Sequence, residues 1–135
     1  MDDAYLELVK RLYECFNRRD AEGIAELCDE RLEFFPVFTA EAVGRDAPYV
    51  GRQGLQDYLR DAAGAWEELL VTPSEVEARG ERLLVRGRVY VRSREHGIRD
   101  LPGAWIWEVR EGRFARGEVF PDPTLAEARF DAIAA

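Results

Sequence analysis

The only histidine in the 135 residues is His96. An imidazole can serve as a general base, but it needs a neighbour to fix its tautomer. His96 lies between Glu95 and Gly97 in a polar stretch, so it reads as exposed, and no Ser-His-Asp set assembles around it. The two cysteines, Cys15 and Cys28, are too few for a disulfide framework or a four-ligand zinc site. Both fall on stretches that read as helix, where a free thiol behaves as a small apolar side chain. No clustered ligands suit a metal and no Gly-rich phosphate loop follows a strand, so neither metal nor cofactor is expected. Proton transfer would then fall to a carboxylate. Asp100 ends the charged segment 93–100. In an apolar pocket its pKa would rise and it could donate a proton at neutral pH; in a solvated loop it would not. If the segment is extended, Arg99 points to the opposite face and need not pair with it. Asp122-Pro123 reads as a helix N-cap followed by proline at the first helical position.

Aromatic residues are the stronger signal. Trp105 and Trp107 share one face of a strand, and Tyr58 and Trp66 lie two helical turns apart. Phe34, Phe35, Phe38 and Tyr49 flank the irregular stretch 36–50. Such stripes mostly build core, but a buried Trp or Tyr needs a hydrogen-bond partner. Several of them facing a concave sheet suit an apolar ligand with a few polar atoms.

The elements that must position these residues follow from periodicity. Tyr5, Leu8, Val9, Leu12 and Phe16 recur at helical spacing. Asp20 caps a short second helix carrying Ile24, Leu27 and Cys28, and residues 31–35 form a strand stopped by Pro36. A third helix carries Leu55, Tyr58, Leu59, Ala62 and Trp66. The period then drops to two. Residues 70–78 form a strand in which Pro73 marks an edge or a bulge. Leu83, Val85, Val89 and Val91 make one apolar strand face, and residues 93–102 read as a polar bend. A strand at 104–109 turns at Glu111-Gly112 into 114–120, and a short terminal helix follows. Alternation from that turn sets Ala115, Gly117 and Val119 on one face and Phe114, Arg116, Glu118 and Phe120 on the other. Three N-terminal helices on one face of one bent sheet make an α+β domain spanning residues 1–135.

Net charge is −8 and the pI about 4.8. That balance argues against nucleic acid and against an anionic membrane surface as partners. The N-terminus lacks the basic and apolar regions of a secretory signal, and no apolar run spans a bilayer, so a cytoplasmic protein is expected.

Three motifs carry a family resemblance: residues 13–24 (YECFNRRDAEGI), residues 49–59 (YVGRQGLQDYL) and residues 110–114 (REGRF). In this order and spacing the chain resembles the nuclear transport factor 2-like superfamily, and within it the SnoaL-like polyketide cyclase and ketosteroid isomerase-like domains. The resemblance implies a cone-shaped half-barrel with three N-terminal helices packed on a curved mixed sheet, a short C-terminal helix and a deep apolar pocket. It also implies homodimers through the outer sheet face, with Arg86, Arg88 and Tyr90 on that surface. Its members range from isomerases, cyclases and epoxide hydrolases to proteins without known catalysis.

The residues that such enzymes use are largely missing. The base carboxylate expected at the end of the first strand is replaced by Phe34-Phe35-Pro36, and Glu33 faces the other way. The acid expected on the last strand reads Val119. The tyrosine donor of the first helix falls at Leu12, or at Tyr13 if the alignment slips by one residue. Asp100 and Tyr13 are therefore the catalytic candidates. The expected ligand walls are Phe16, Phe35, Tyr49, Tyr58, Trp66, Trp105 and Trp107, with room beside Gly117. The resulting reading is a pocket for a small hydrophobic organic molecule. The alternatives are an acid/base enzyme on such a molecule and a non-catalytic dimeric interaction domain.

Overall fold

The computed structural model describes residues 2–134. Helix α1 (Asp2–Asn17) buries Val9, Leu12 and Tyr13 on one face. It ends where Arg19 turns into the left-handed region at φ 55°. Asp20 caps α2 (Ala21–Leu27), its carboxylate accepting from the Gly23 N–H at 3.0 Å. Strand β1 (Cys28–Phe35) starts at Cys28, which is thus a strand residue rather than a helical one; both thiols are free and buried.

Residues 36–50 are irregular only in part, at 44–48. They hold a seven-residue helix, α3 (Val37–Val43), closed by Gly44 at φ 71°, and a two-residue strand, β2 (Tyr49–Val50). Gly44 supplies the left-handed conformation that lets the next N–H, that of Arg45, reach back to the Ala40 carbonyl at 2.8 Å. Helix α4 (Gly51–Ala65) follows, then β3 (Glu68–Arg79), β4 (Arg82–Ser93), β5 (Gly97–Arg110), β6 (Arg113–Phe120) and α5 (Pro123–Ala134). No helix among the described residues is long and apolar enough to cross a membrane.

The six strands form one open mixed sheet in the order β2-β1-β6-β5-β4-β3, with β1 parallel to β6 and every other pair antiparallel. β3 is an edge strand, and its pairing slips between Pro73 and Glu75, where proline has no N–H to give. The edge is partly covered: the Asn17 amide donates to the Val71 carbonyl at 2.9 Å and accepts from the Val71 N–H at 2.8 Å. Residues 97–102 are not a bend but the paired arm of the β4–β5 hairpin. They lie beyond the helices that cover the sheet and are mostly exposed, so no apolar alternation marks them.

Two apolar layers sandwich the sheet. Leu83, Val85, Trp105, Trp107 and Phe114 pack under α1 and α4 on the inner face. On the outer face Leu84, Ala104, Ile106 and Phe120 pack under Ala126 and Phe130 of α5. Phe114 sits on the inner face, opposite to its expected side. β5 passes from Glu108 to Val109 while β6 passes from Arg116 to Phe114, and the extra residue, Ala115, reverses the alternation.

Candidate functional site

Inside the sandwich, between the sheet and helices α1, α3 and α4, lies a cavity of about 40 Å³. That space holds roughly three water molecules, far below the ~300 Å³ of a pocket for a drug-sized ligand. The expected ligand-sized pocket is therefore present in position but largely filled by its own side chains.

Of the expected walls, Phe16, Tyr58, Trp105 and Trp107 line the cavity, as does Tyr13. Phe35 does not. β1 turns Phe34 inward and Phe35 outward, where the Phe35 ring lies 4.6 Å below the Arg116 guanidinium. Tyr49 is buried beside the cavity rather than on it, and its hydroxyl donates to Asp61 at 2.7 Å. Trp66 stands one layer behind, donating its indole N–H to Thr39 Oγ1 at 3.1 Å. Gly117 leaves no room for a ligand, because a Cβ there would run into the Trp107 ring. The glycine accommodates the indole.

The acid candidates separate. Tyr13 is on the cavity, whereas Asp100 lies exposed on the outer face of β5, its carboxylate 3.0 Å from Arg88 Nε. Asp122 caps α5 by accepting from the Thr124 N–H at 2.9 Å. His96 is exposed, 3.7 Å from Glu95. Among the described residues, no group of three or more His, Cys, Asp or Glu could hold a metal.

The cavity wall carries no carboxylate, imidazole, ammonium or guanidinium. Its polar side chains are Tyr13, Tyr58, Thr39 and Asn17, together with the tryptophan indoles. Trp107 donates its indole N–H to the Tyr13 hydroxyl at 3.0 Å. Burial pushes the Tyr13 hydroxyl well above its ordinary pKa, and the indole hydrogen bond offsets part of this. Burial likewise pushes Tyr58 up to about 12, against the pull of Thr39 and Arg19. Both phenols are thus protonated donors at neutral pH, and no side chain on the wall is a base at that pH.

Helix α3, legible in the sequence only as a connection, is the wall between this cavity and the outside. Phe38 and Thr39 face the cavity, while Val37 and Ala40 line a groove beside β6 and α5. Ala42 and Val43 line a second groove, which also holds Trp66. Sequence reasoning missed Thr39 and Asn17; the signal for Asn17 was a polar residue on the apolar stripe of α1.

Comparison with known proteins agrees with this geometry. None of the curated protein sequences is significantly similar to the chain. Among solved structures, the protein TerC, co-crystallised with polyporic acid, is 25% identical, with 92% of this chain and 95% of TerC covered at a TM-score of 0.76. A protein of unknown function from Burkholderia pseudomallei, described as like nuclear transport factor 2, is 22% identical over 96% of this chain and 97% of its own, also at 0.76. A protein of ketosteroid isomerase-like fold from Catenulispora acidiphila, solved with trimethylamine, is 12% identical over 84% of each chain at 0.71. The family model of the SnoaL-like domain matches residues 9–117, so most of the chain, including every side chain on the cavity wall except Val119, falls within it. The chain belongs to the SnoaL-like domain family.

Proposed function

We propose that this domain binds one small, largely apolar organic molecule in the inner cavity, held by Tyr13, Phe16, Tyr58, Trp105 and Trp107. The observation that carries this reading is the wall itself, aromatic and aliphatic, with a few hydroxyl and N–H groups and no side-chain charge. The co-crystallisation of TerC, at 25% identity, with polyporic acid supports it. Because the cavity is only about 40 Å³, a ligand enters by displacing α3 or the side chains that α3 contributes. Binding is favoured over acid/base catalysis because Asp100 is ion-paired on the far face and the wall offers only phenols as acids. A thermal-shift screen of hydrophobic ketones, phenols and arenes tests the reading. Ligands that raise Tm should lose that effect in Trp105→Ala, and no shift with any compound of these classes would refute it.

Pairing of two copies belongs to the same proposal. Beyond α5 the outer face leaves Leu70 and Ile98 exposed on either side of Tyr90 and Arg92. A second copy is the occupant that this face would take, with Arg88 and Asp100 at its rim. Light scattering giving the mass of one chain at tens of micromolar would exclude it. Both cysteines are free and buried, in keeping with a cytoplasmic setting.

A further inference from the structure

We propose a second binding site, for a monocarboxylate with an apolar tail, in the groove between α3 and α5. It is separate from the inner cavity and does not depend on what that cavity holds.

The groove follows from how the chain leaves two strands. β1 and β6 run parallel and side by side, with Phe35 level with Glu118, so both finish at the same end of the sheet. From there the chain departs toward opposite faces. α3 turns Phe38 and Thr39 to the inner cavity, whereas α5 lays Ala126 and Phe130 on the outer layer. Two elements that part in this way leave a crevice beyond the strand ends that neither fills, which is where open sheets take ligands. Here the crevice measures about 340 Å³, the size of a small-molecule site. The buried side chains of Pro36 and Val119 wall it off from the inner cavity.

Its lining is apolar apart from Asp46, Glu118 and Arg129. Phe35, turned outward by β1, is held there under the Arg116 guanidinium. Leu125 is 55% exposed, and an apolar ligand would take that surface out of water. The charges select the head group. Glu118 is already paired with Arg116 at 3.4 Å. Arg129 follows Leu125 by one helical turn on the same face of α5, and has no ion-pair partner among the described residues. The helix acids nearest to it in sequence, Glu127 and Asp131, point the other way, to Arg86 and Arg79. A guanidinium offers two parallel N–H groups to a carboxylate, so Arg129 fits an acid whose tail lies between Phe35 and Leu125. Asp46 adjoins Arg45, which is tied to the Ala47 and Pro48 carbonyls of the same loop at 2.9 Å each. Its charge is thereby offset in part, yet it still repels a second carboxylate on the ligand.

Three compounds of one shape test this: 4-phenylbutyrate, 4-phenylbutanol and 4-phenylbutylamine, which differ in head charge at neutral pH. Amide resonances of the isotope-labelled full chain report affinity and position together. 4-Phenylbutyrate should shift the amides of Val37, Leu125 and Arg129 and leave the indole N–H resonances of Trp105 and Trp107 in place. It should bind roughly three- to fivefold tighter than the alcohol, as one exposed ion pair allows, with the amine weakest. Arg129 is exposed, so Arg129→Gln spares the core; it should bring the acid down to the level of the alcohol. Arg129→Lys should restore part of the preference, and Leu125→Ser should weaken acid and alcohol alike. Shifts centred on the two indoles would overturn the proposal. So would equal affinity for acid and alcohol, an amine as tight as the acid, or a preference that survives Arg129→Gln. Absence of any shift with 4-phenylbutyrate up to its solubility would overturn it as well.

Discussion

Trp107 is held from four sides. Its ring stacks on Phe34, meets Phe114 edge-on at 5.0 Å, rests over Gly117, and sends its N–H to Tyr13. Gly117→Ala should therefore overpack the site and cost about 1–3 kcal/mol. Urea unfolding reads this as a lower midpoint at unchanged slope; an unchanged midpoint would mean that the indole has somewhere else to go. At this scale the sequence is informative where the chemistry is local. Asp20 and Asp122 are legible as caps because a cap depends on the next three residues. It is silent where the answer depends on a distant neighbour. Gly117 reads as empty space, and only the fold reveals that an indole ten residues earlier occupies it. Phe34 and Phe35 are equally apolar, so nothing in the pair itself says which one faces the cavity.

Among the elements, the join between α1 and β3 rests on a side chain acting as a strand. The Asn17 amide pairs with both backbone groups of Val71 at 2.8–2.9 Å, leaving less of the sheet edge open to other chains. Asn17→Ala should strip both partners and destabilise the domain by about 2–3 kcal/mol. The Val71 amide should lose its protection against hydrogen exchange, while amides in the middle of β4 change only with global stability. Helix positions for α1 and α4 were legible because each repeats its apolar stripe over four turns or more. α3 was not, since seven residues hold too few repeats to distinguish a helix from a loop. β6 was legible as a strand but not in its facing, because a bulge adds one residue without leaving a mark in the hydropathy.

For the whole molecule, burial of phenols makes stability depend on alkaline pH. Tyr58 is raised to about 12 in the folded state, and Tyr13 is raised as well. Unfolded tyrosine titrates near 10, so their contribution is fully present below pH ~10 and is lost as pH rises through the folded values. Tyr58 alone accounts for about 2–3 kcal/mol lost by pH ~12. Burial also pushes the Cys28 thiol up to about 12 from an ordinary value of 9.0. Denaturant midpoints should therefore be flat from neutrality to about pH 9 and then fall, with Tyr58→Phe making that fall shallower. Composition and element order were enough to give the architecture, because a helix–helix–strand–helix start followed by long strands has few ways to bury its apolar faces. The size of the cavity was not legible, because it is a small difference between a large enclosed volume and the side chains that fill it.

The outer face of the sheet carries a consequence for assembly. α5 occupies the end of that face formed by Leu84, Ala104, Ile106 and Phe120, and its residues lie beyond the stretch 9–117 that the family model matches. The helix is thus a steric veto. Two copies paired sheet to sheet, as proposed above, would have to meet beyond α5, near Tyr90, rather than over the strip that the helix covers. Removing α5 would lift the veto and bare an oily strip, trading a defined contact for indiscriminate adhesion.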